Sequence, residues 1–278
     1  YPRLLALSEV GWLPNAKKDF GSFYYRLQHH AGILKAKDIC YAPHYFEPEE
    51  LTPVEAAVAE AQDILQKSTP GAVGYPAQEA FDALQQALDA LLQAADGNAA
   101  DASSAEAALD ALRTQTEAYK AAPITLPQEG TLYKVVSAST FFRNRFDGSS
   151  LYAKGTSLNI HYTQQTEPEE LWLFVPQPDG SFQMVSVNTG KAVTMAASEA
   201  GTVKAEKEQG TNLRIRKATK PAGNYTYIPG VVNIKNGRYN LYAQLKGHNM
   251  TIVASADSAL CYPGTWRIEA IDDYNRAL

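Results

Sequence analysis

The sequence predicts a multidomain chain, an α-helical half followed by an all-β closed fold. Three observations carry this. Residues 51–122 hold three apolar stripes at helical spacing. Residues 131–278 switch to a period of two, in short segments separated by polar turns. Between them, residues 123–130 read PITLPQEG, with two prolines and a glycine, as a linker. A chain of 278 residues, 45% of them apolar, is too long for one small domain, so two domains or two plus a fragment are expected.

Residues 1–50 are rich in aromatic side chains and open in the middle of an apolar pattern, YPRLLALSEVGW, which reads as a cut. Residues 2–10 are expected to be helical, with Leu4, Leu5, Leu7 and Val10 available to pack; Gly11 and Pro14 end the segment. A second helix is expected over about 16–30, with Phe20, Phe23, Tyr24 and Leu27 on one face. His29 and His30 close it, where a helix end favours positive charge. Adjacent histidines point in different directions and have no carboxylate three or four residues away, so no metal site is expected. Cys40 is expected to pack as a small hydrophobe, and nothing favours its pairing with Cys261.

The first helix of the next stretch starts after Thr52, with Pro53 at the first helical position and Glu55 completing a capping box. Its stripe is Val54, Ala57, Val58, Ala61, Ile64 and Leu65, ended by STPGAVGYP. The second is expected over about 77–95, with Phe81, Leu84, Leu88, Leu91 and Leu92 on one face. The third starts at Ser103, with Glu106 as the other half of a cap, and continues through Ala105, Ala108, Leu109, Leu112 and Tyr119. Three such helices with short connections close into a small bundle, read as a structural spacer.

From 131 onward the strand candidates are LYKVVSA, SLYAKG, SLNIHYT, LWLFVPQ, FQMVSVN, AVTMAA, GTVKAEK, NLRIRKA, YTYIPG, VVNIK, YNLYAQL, MTIVAS and TWRIEAI. A weak threefold repeat runs through them. Trp172, Leu213 and Trp266 each begin an apolar alternation, and before each lies a Gly- or Asn-marked hairpin: DGSSLYAKG, NTGKAVTM and NGRYNLYAQL. The pattern resembles the β-trefoil of ricin-type lectin domains. That family ends each unit with Gln-x-Trp; here the places read Glu170-Leu171-Trp172, Asn212-Leu213-Arg214 and Gly264-Thr265-Trp266, so the Gln is missing each time.

The net charge of -5 gives no bulk attraction to nucleic acid, and no apolar run reaches the roughly 20 residues of a membrane span. The chain carries no nucleophile elbow, phosphate loop, dinucleotide fingerprint or zinc-binding run, so no cofactor and no metal is expected. Aromatic rings beside Asn and Asp can stack on sugar faces or fill a trefoil core. Trp172 and Trp266 are read as core; the candidate carbohydrate-binding residues are Phe146, Asp147, Tyr239 and Tyr242.

Tyr1-Pro2-Arg3-Leu4-Leu5-Ala6-Leu7-Ser8-Glu9-Val10-Gly11-Trp12 and then Pro14 resemble the PR-x-x-A-x-x-E-x-x-W-x-P segment that ends the catalytic barrel of glycoside hydrolase family 20. Asp19-Phe20, Phe23, Leu34 and Ile39-Cys40-Tyr41 continue the likeness. Residues 51–122, with Pro70-Gly71-Ala72-Val73-Gly74-Tyr75-Pro76 between helices, resemble FIVAR-type bundles. Together the layers resemble the C-terminal half of hexosaminidases of the Bacteroides kind. The resemblance implies residues 1–50 as the last helices of a TIM barrel, 51–122 as a three-helix bundle, 123–130 as a linker and 131–278 as a β-trefoil. It also implies a secreted β-N-acetylhexosaminidase parent acting on N-acetylglucosamine or N-acetylgalactosamine glycans, placed in the periplasm, at the outer membrane or outside the cell. The Asp-Glu pair of family 20 lies on an earlier barrel strand and has no match here, so the chain itself is expected to be inactive. Its partners would be the parent's catalytic barrel and glycans. The alternative is a stand-alone lectin-like or adhesin protein that binds cell-surface or host glycans.

Overall fold

The computed structural model describes residues 52–96, 102–138, 148–162, 166–218, 228–246, 249–256 and 264–271. The expected barrel helices of residues 1–50, both cysteines, Phe146 and Asp147 lie outside the described residues. The chain divides into two compact units, Tyr1–Ala56 and Ala57–Leu278. Only the opening of the first helix belongs to the described part of the first unit.

Three helices come first: α1 (Pro53–Gln66), α2 (Gln78–Asp96) and α3 (Ala102–Ala121). The capping box at α1 forms as expected. Thr52 N donates to Glu55 Oε2 at 2.8 Å, and Glu55 N donates to Thr52 Oγ1 at 3.2 Å. The Thr52 N–H and then the Thr52 hydroxyl, which donates to the same Oε2 at 2.8 Å, hold the Glu55 carboxyl below its ordinary range. α3 differs from expectation at its start: Ala102 is already helical, so Ser103 sits inside the first turn and not before it. Ala61, Ile64, Leu65, Leu84, Leu88, Leu91, Leu112 and Tyr119 form one buried cluster. Val54 and Leu92, expected on that face, are 38% and 39% exposed and fall at its rim. Tyr119 is buried, and its hydroxyl donates to Ser68 Oγ at 2.8 Å. Burial pushes the Tyr119 phenol up from its ordinary range.

Twelve strands follow: β1 (Tyr133–Ser137), β2 (Ser150–Lys154), β3 (Ser157–His161), β4 (Leu171–Pro176), β5 (Phe182–Ser186), β6 (Ala192–Met195), β7 (Gly201–Lys207), β8 (Arg214–Lys217), β9 (Val232–Asn236), β10 (Tyr239–Lys246), β11 (Asn249–Ala256) and β12 (Trp266–Ala270). Of the thirteen expected segments, YTYIPG is the one that does not give a strand among its described residues: Ile228–Gly230 turn, with Gly230 at φ +76. Six strands close into a ring. β1 pairs with β4, β4 with β5, β8 with β9, β9 with β12, and β12 with β1. Reciprocal 2.8 Å bonds between Phe182 and Leu213 join β5 to the start of β8. The other six strands form three hairpins, β2–β3, β6–β7 and β10–β11, joined to each other through β3–β7 and β7–β11 pairs. A six-stranded ring with three hairpins across one end is a β-trefoil, in three lobes of four strands.

The lobes repeat residue by residue. Ser150-Leu151-Tyr152-Ala153, Ala192-Val193-Thr194-Met195 and Asn240-Leu241-Tyr242-Ala243 share one pattern: two buried, one half-buried, one buried. In the first lobe Trp172 Nε1 donates to Leu151 O at 3.0 Å; in the third Trp266 Nε1 donates to Leu241 O at 2.8 Å. In the second lobe the matching carbonyl, Val193 O, takes the backbone N–H of Thr211 at 2.9 Å. Buried carbonyls must be satisfied, and a lobe without the indole draws in backbone to do it. This corrects the reading frame of the middle lobe. Leu213, and not Arg214, stands in the tryptophan position, so the triplet there is Thr211-Asn212-Leu213.

The break between α1 and α2 does more than end a helix. Val73 from it packs into the trefoil core with Trp172, Val232 and Ile268, and is 8% exposed. Gly74 N donates to Thr125 O at 2.9 Å, and Thr125 N donates to Tyr75 O at 2.7 Å, so the loop is zipped to the linker. The Tyr75 ring lies directly on Gly230, where a β-carbon would come within 2.2 Å of Tyr75 Cζ. Lys217, at the end of β8, donates to the Lys120 carbonyl in the last turn of α3 at 2.5 Å. Burial there pushes the Lys217 ammonium down from its ordinary range.

Candidate functional site

The outward groups of the three hairpins are set by the pleat. In lobe one, Tyr152 pairs with Asn159; in lobe two, Thr194 with Lys204; in lobe three, Tyr242 with Val253. Tyr242 and Tyr152 are therefore equivalent, each half-buried on the same turn of its lobe. Tyr239 lies three residues before Tyr242 on the unbroken register of β10, so the two rings stand on opposite faces. The structure does not bring Tyr239 and Tyr242 to one surface. Tyr239 packs against the trefoil core. Arg238 lies over its ring at 5.1 Å and donates to its hydroxyl at 2.9 Å. Beside it, Glu199 accepts from Ala256 N at 2.8 Å and Ser255 Oγ at 2.7 Å. These two bonds, the backbone one first, hold the Glu199 carboxyl below its ordinary range. Tyr239 thus belongs to a pinned corner between two hairpins.

Lobe one carries a feature that the sequence pattern does not announce. Tyr162, just past β3, is 75% exposed, far more than any other large apolar side chain among the described residues. Its ring stands beside Gly148, where a β-carbon would be 3.9 Å from Tyr162 Cε2. Gly148 directly follows Asp147 in sequence.

The same lobe holds a charge cluster around a buried carboxyl group. Glu170, at the end of a 3-10 turn (Pro168–Glu170), is fully buried. Its Oε1 meets His161 Nε2 at 2.9 Å, and its Oε2 meets Lys134 Nζ at 3.1 Å. Glu170 Oε2 also accepts the Glu167 backbone N–H at 3.2 Å. A buried carboxylate persists only with such partners. His161 in turn stacks flat on Tyr152, with ring centroids 4.0 Å apart and planes 15° from parallel. Glu170 thereby fixes His161, and His161 covers one face of Tyr152. Glu170, two residues before Trp172, is the anchor for the stacked Tyr152–His161 pair. Histidine and carboxylate are both engaged in fixing side chains here. Among the described residues, no group of three or more His, Cys, Asp or Glu could hold a metal ion.

The arrangement offers an exposed ring, Tyr162, in a lobe that also holds the stacked Tyr152–His161 pair. No helix among the described residues is long and apolar enough to cross a membrane. No protein-family model matches the chain, and no curated relative matches it. Among solved structures, the Macrolepiota procera ricin B-like lectin, in complex with lactose, is similar over 52% of this chain and 99% of its own, at 14% identity and TM-score 0.36. The Rhizoctonia solani agglutinin is similar over 54% of this chain and 100% of its own, at 18% identity and TM-score 0.40. The designed threefold-symmetric protein ThreeFoil is similar over 50% of this chain and 99% of its own, at 17% identity and TM-score 0.38.

Proposed function

We propose that this chain is the carbohydrate-recognising, non-catalytic C-terminal region of a secreted β-N-acetylhexosaminidase, with the trefoil as its sugar-binding module. The observation that carries the binding role is Tyr162, a 75% exposed ring beside Gly148, with Asp147, the residue before Gly148 in sequence, as the proposed carboxylate. A ring of this kind stacks on the C–H face of a pyranose, while a carboxylate accepts from its hydroxyls. The likeness of residues 1–14 to the end of a family 20 barrel supports the hexosaminidase parent, and with it a periplasmic, outer-membrane or extracellular place. The catalytic barrel of that parent would be the partner within the longer chain.

The test is a glycan array on the purified chain, with hydrolysis of a chromogenic N-acetylglucosaminide run beside it. Binding that Tyr162→Ala removes, without hydrolysis, is the expected result. Binding that survives Tyr162→Ala but fails with Tyr242→Ala would move the site to lobe three. No glycan bound at millimolar concentration would end the module reading, and turnover by the chain alone would end the non-catalytic one.

A further inference from the structure

The bundle and the trefoil meet over a cleft of about 590 Å³ that lies away from the hairpins. Its walls come from the α1–α2 loop, the linker, the turn before β9, and β12. We infer that this cleft is a second binding site, for a neutral saccharide, built jointly by the bundle and the trefoil. The inference does not rest on the Tyr162 reading, since the two places share no residue.

The volume falls in the range of small-ligand pockets, which gather at domain junctions. Its apolar surface is Leu126, 40% exposed, over the buried Val73, Tyr133 and Ile268. The Tyr75 ring forms one wall and is held in place by Gly230. The rim is polar. Arg267 and Glu269 project from the same face of β12, with Arg267 Nε 4.0 Å from Glu269 Oε1, and Gln128 also lines the cleft. The ligand class follows from this chemistry. The guanidinium and the carboxylate cancel, so a phosphate or another anion meets no excess positive charge. A lipid tail would leave the polar rim unused. A sugar ring fits both halves: a C–H face for Leu126 and Tyr75, and neighbouring hydroxyls that accept from Arg267 and donate to Glu269. On this reading the bundle is part of the binding surface and not a spacer, because the loop that plugs the trefoil supplies the wall.

The experiment is calorimetric titration of the full 278-residue chain with N-acetylglucosamine, N,N′-diacetylchitobiose and lactose. It is repeated on Arg267→Ala/Glu269→Ala, on Ala72→Trp, which fills the cleft from the loop, and on Tyr162→Ala as a control outside it. Circular dichroism melts establish that each variant folds. Loss of two polar contacts should weaken binding at the seam by about tenfold or more. The expected result is that both seam variants weaken or remove one class of sites that Tyr162→Ala leaves unchanged. Binding identical in the wild type and both seam variants overturns the inference, and if Tyr162→Ala alone removes it, the lobe reading stands without the seam. Silence with all three sugars also overturns it.

Discussion

Replacing Gly230 by alanine tests whether the helical loop is truly seated on the trefoil. Gly230 has φ +76, which costs an L-residue roughly 1–2 kcal/mol by itself. Gly180 provides the reference, with φ +74 and open space where a β-carbon would meet nothing within 4 Å. At Gly230 the new carbon would stand 2.2 Å from Tyr75 Cζ and 2.4 Å from its hydroxyl oxygen. Ordinary carbon contacts are about 3.5–4.0 Å, so the Tyr75 ring has to leave its seat. Overpacking of this kind costs about 1–3 kcal/mol beyond the backbone term. Gly230→Ala should therefore melt lower than Gly180→Ala, by about 2–4 °C for each kcal/mol in a domain of this size. A cycle with Tyr75→Ala isolates the cause: in that background Gly230→Ala should cost no more than Gly180→Ala. Thermal and urea unfolding of the four variants give the numbers. Equal costs at Gly230 and Gly180 in the native background would refute the seating of Tyr75.

Other expectations concern single groups. Trp266→Phe leaves the buried Leu241 carbonyl without its 2.8 Å donor and should destabilise by about 1–3 kcal/mol in urea, and Trp172→Phe should do the same through Leu151. Glu170→Ala strands Lys134 and His161 beside an empty place and should cost about 3–5 kcal/mol, read from the urea midpoint. The Glu199 carboxyl is depressed below its ordinary value of 4.5 by the Ala256 N–H and the Ser255 hydroxyl. Its contribution is thus fully present above pH 4.5 and is lost as pH falls through the lower folded-state value. Glu199→Gln should flatten the fall of the urea midpoint below that pH; an unchanged slope would deny the carboxylate its part.

The strands were legible as short apolar, β-branched and aromatic segments between polar turns, and the lobe repeat was legible through Trp172 and Trp266. Leu213 hid the middle frame, since a leucine carries no indole to mark its place. Glu170 was illegible for a physical reason. It closes Glu167-Pro168-Glu169-Glu170, a run that reads as solvated, and only the fold brings Lys134 from β1 and His161 from β3 to it. The loop 70–76 read as a break because glycine and proline mark turns. That its Val73 enters the trefoil core depends on the strands it meets there. The Tyr239 and Tyr242 pair looked like one surface in sequence, yet a spacing of three on a strand divides them.

The ring of the trefoil closes last in time as well as in sequence. Tyr133 pairs with Ala270, so β1 has no β12 partner until almost the whole domain has left the ribosome. Helices form in about microseconds, while non-local strand pairing is slow. At about 5–20 residues per second, the finished bundle would wait on the order of ten seconds for its seat. During that interval Val73 and Tyr75 are an uncovered apolar latch. Docking of that latch reports completion of the barrel, so proteolytic sensitivity of the 70–76 loop should disappear only once β12 is made.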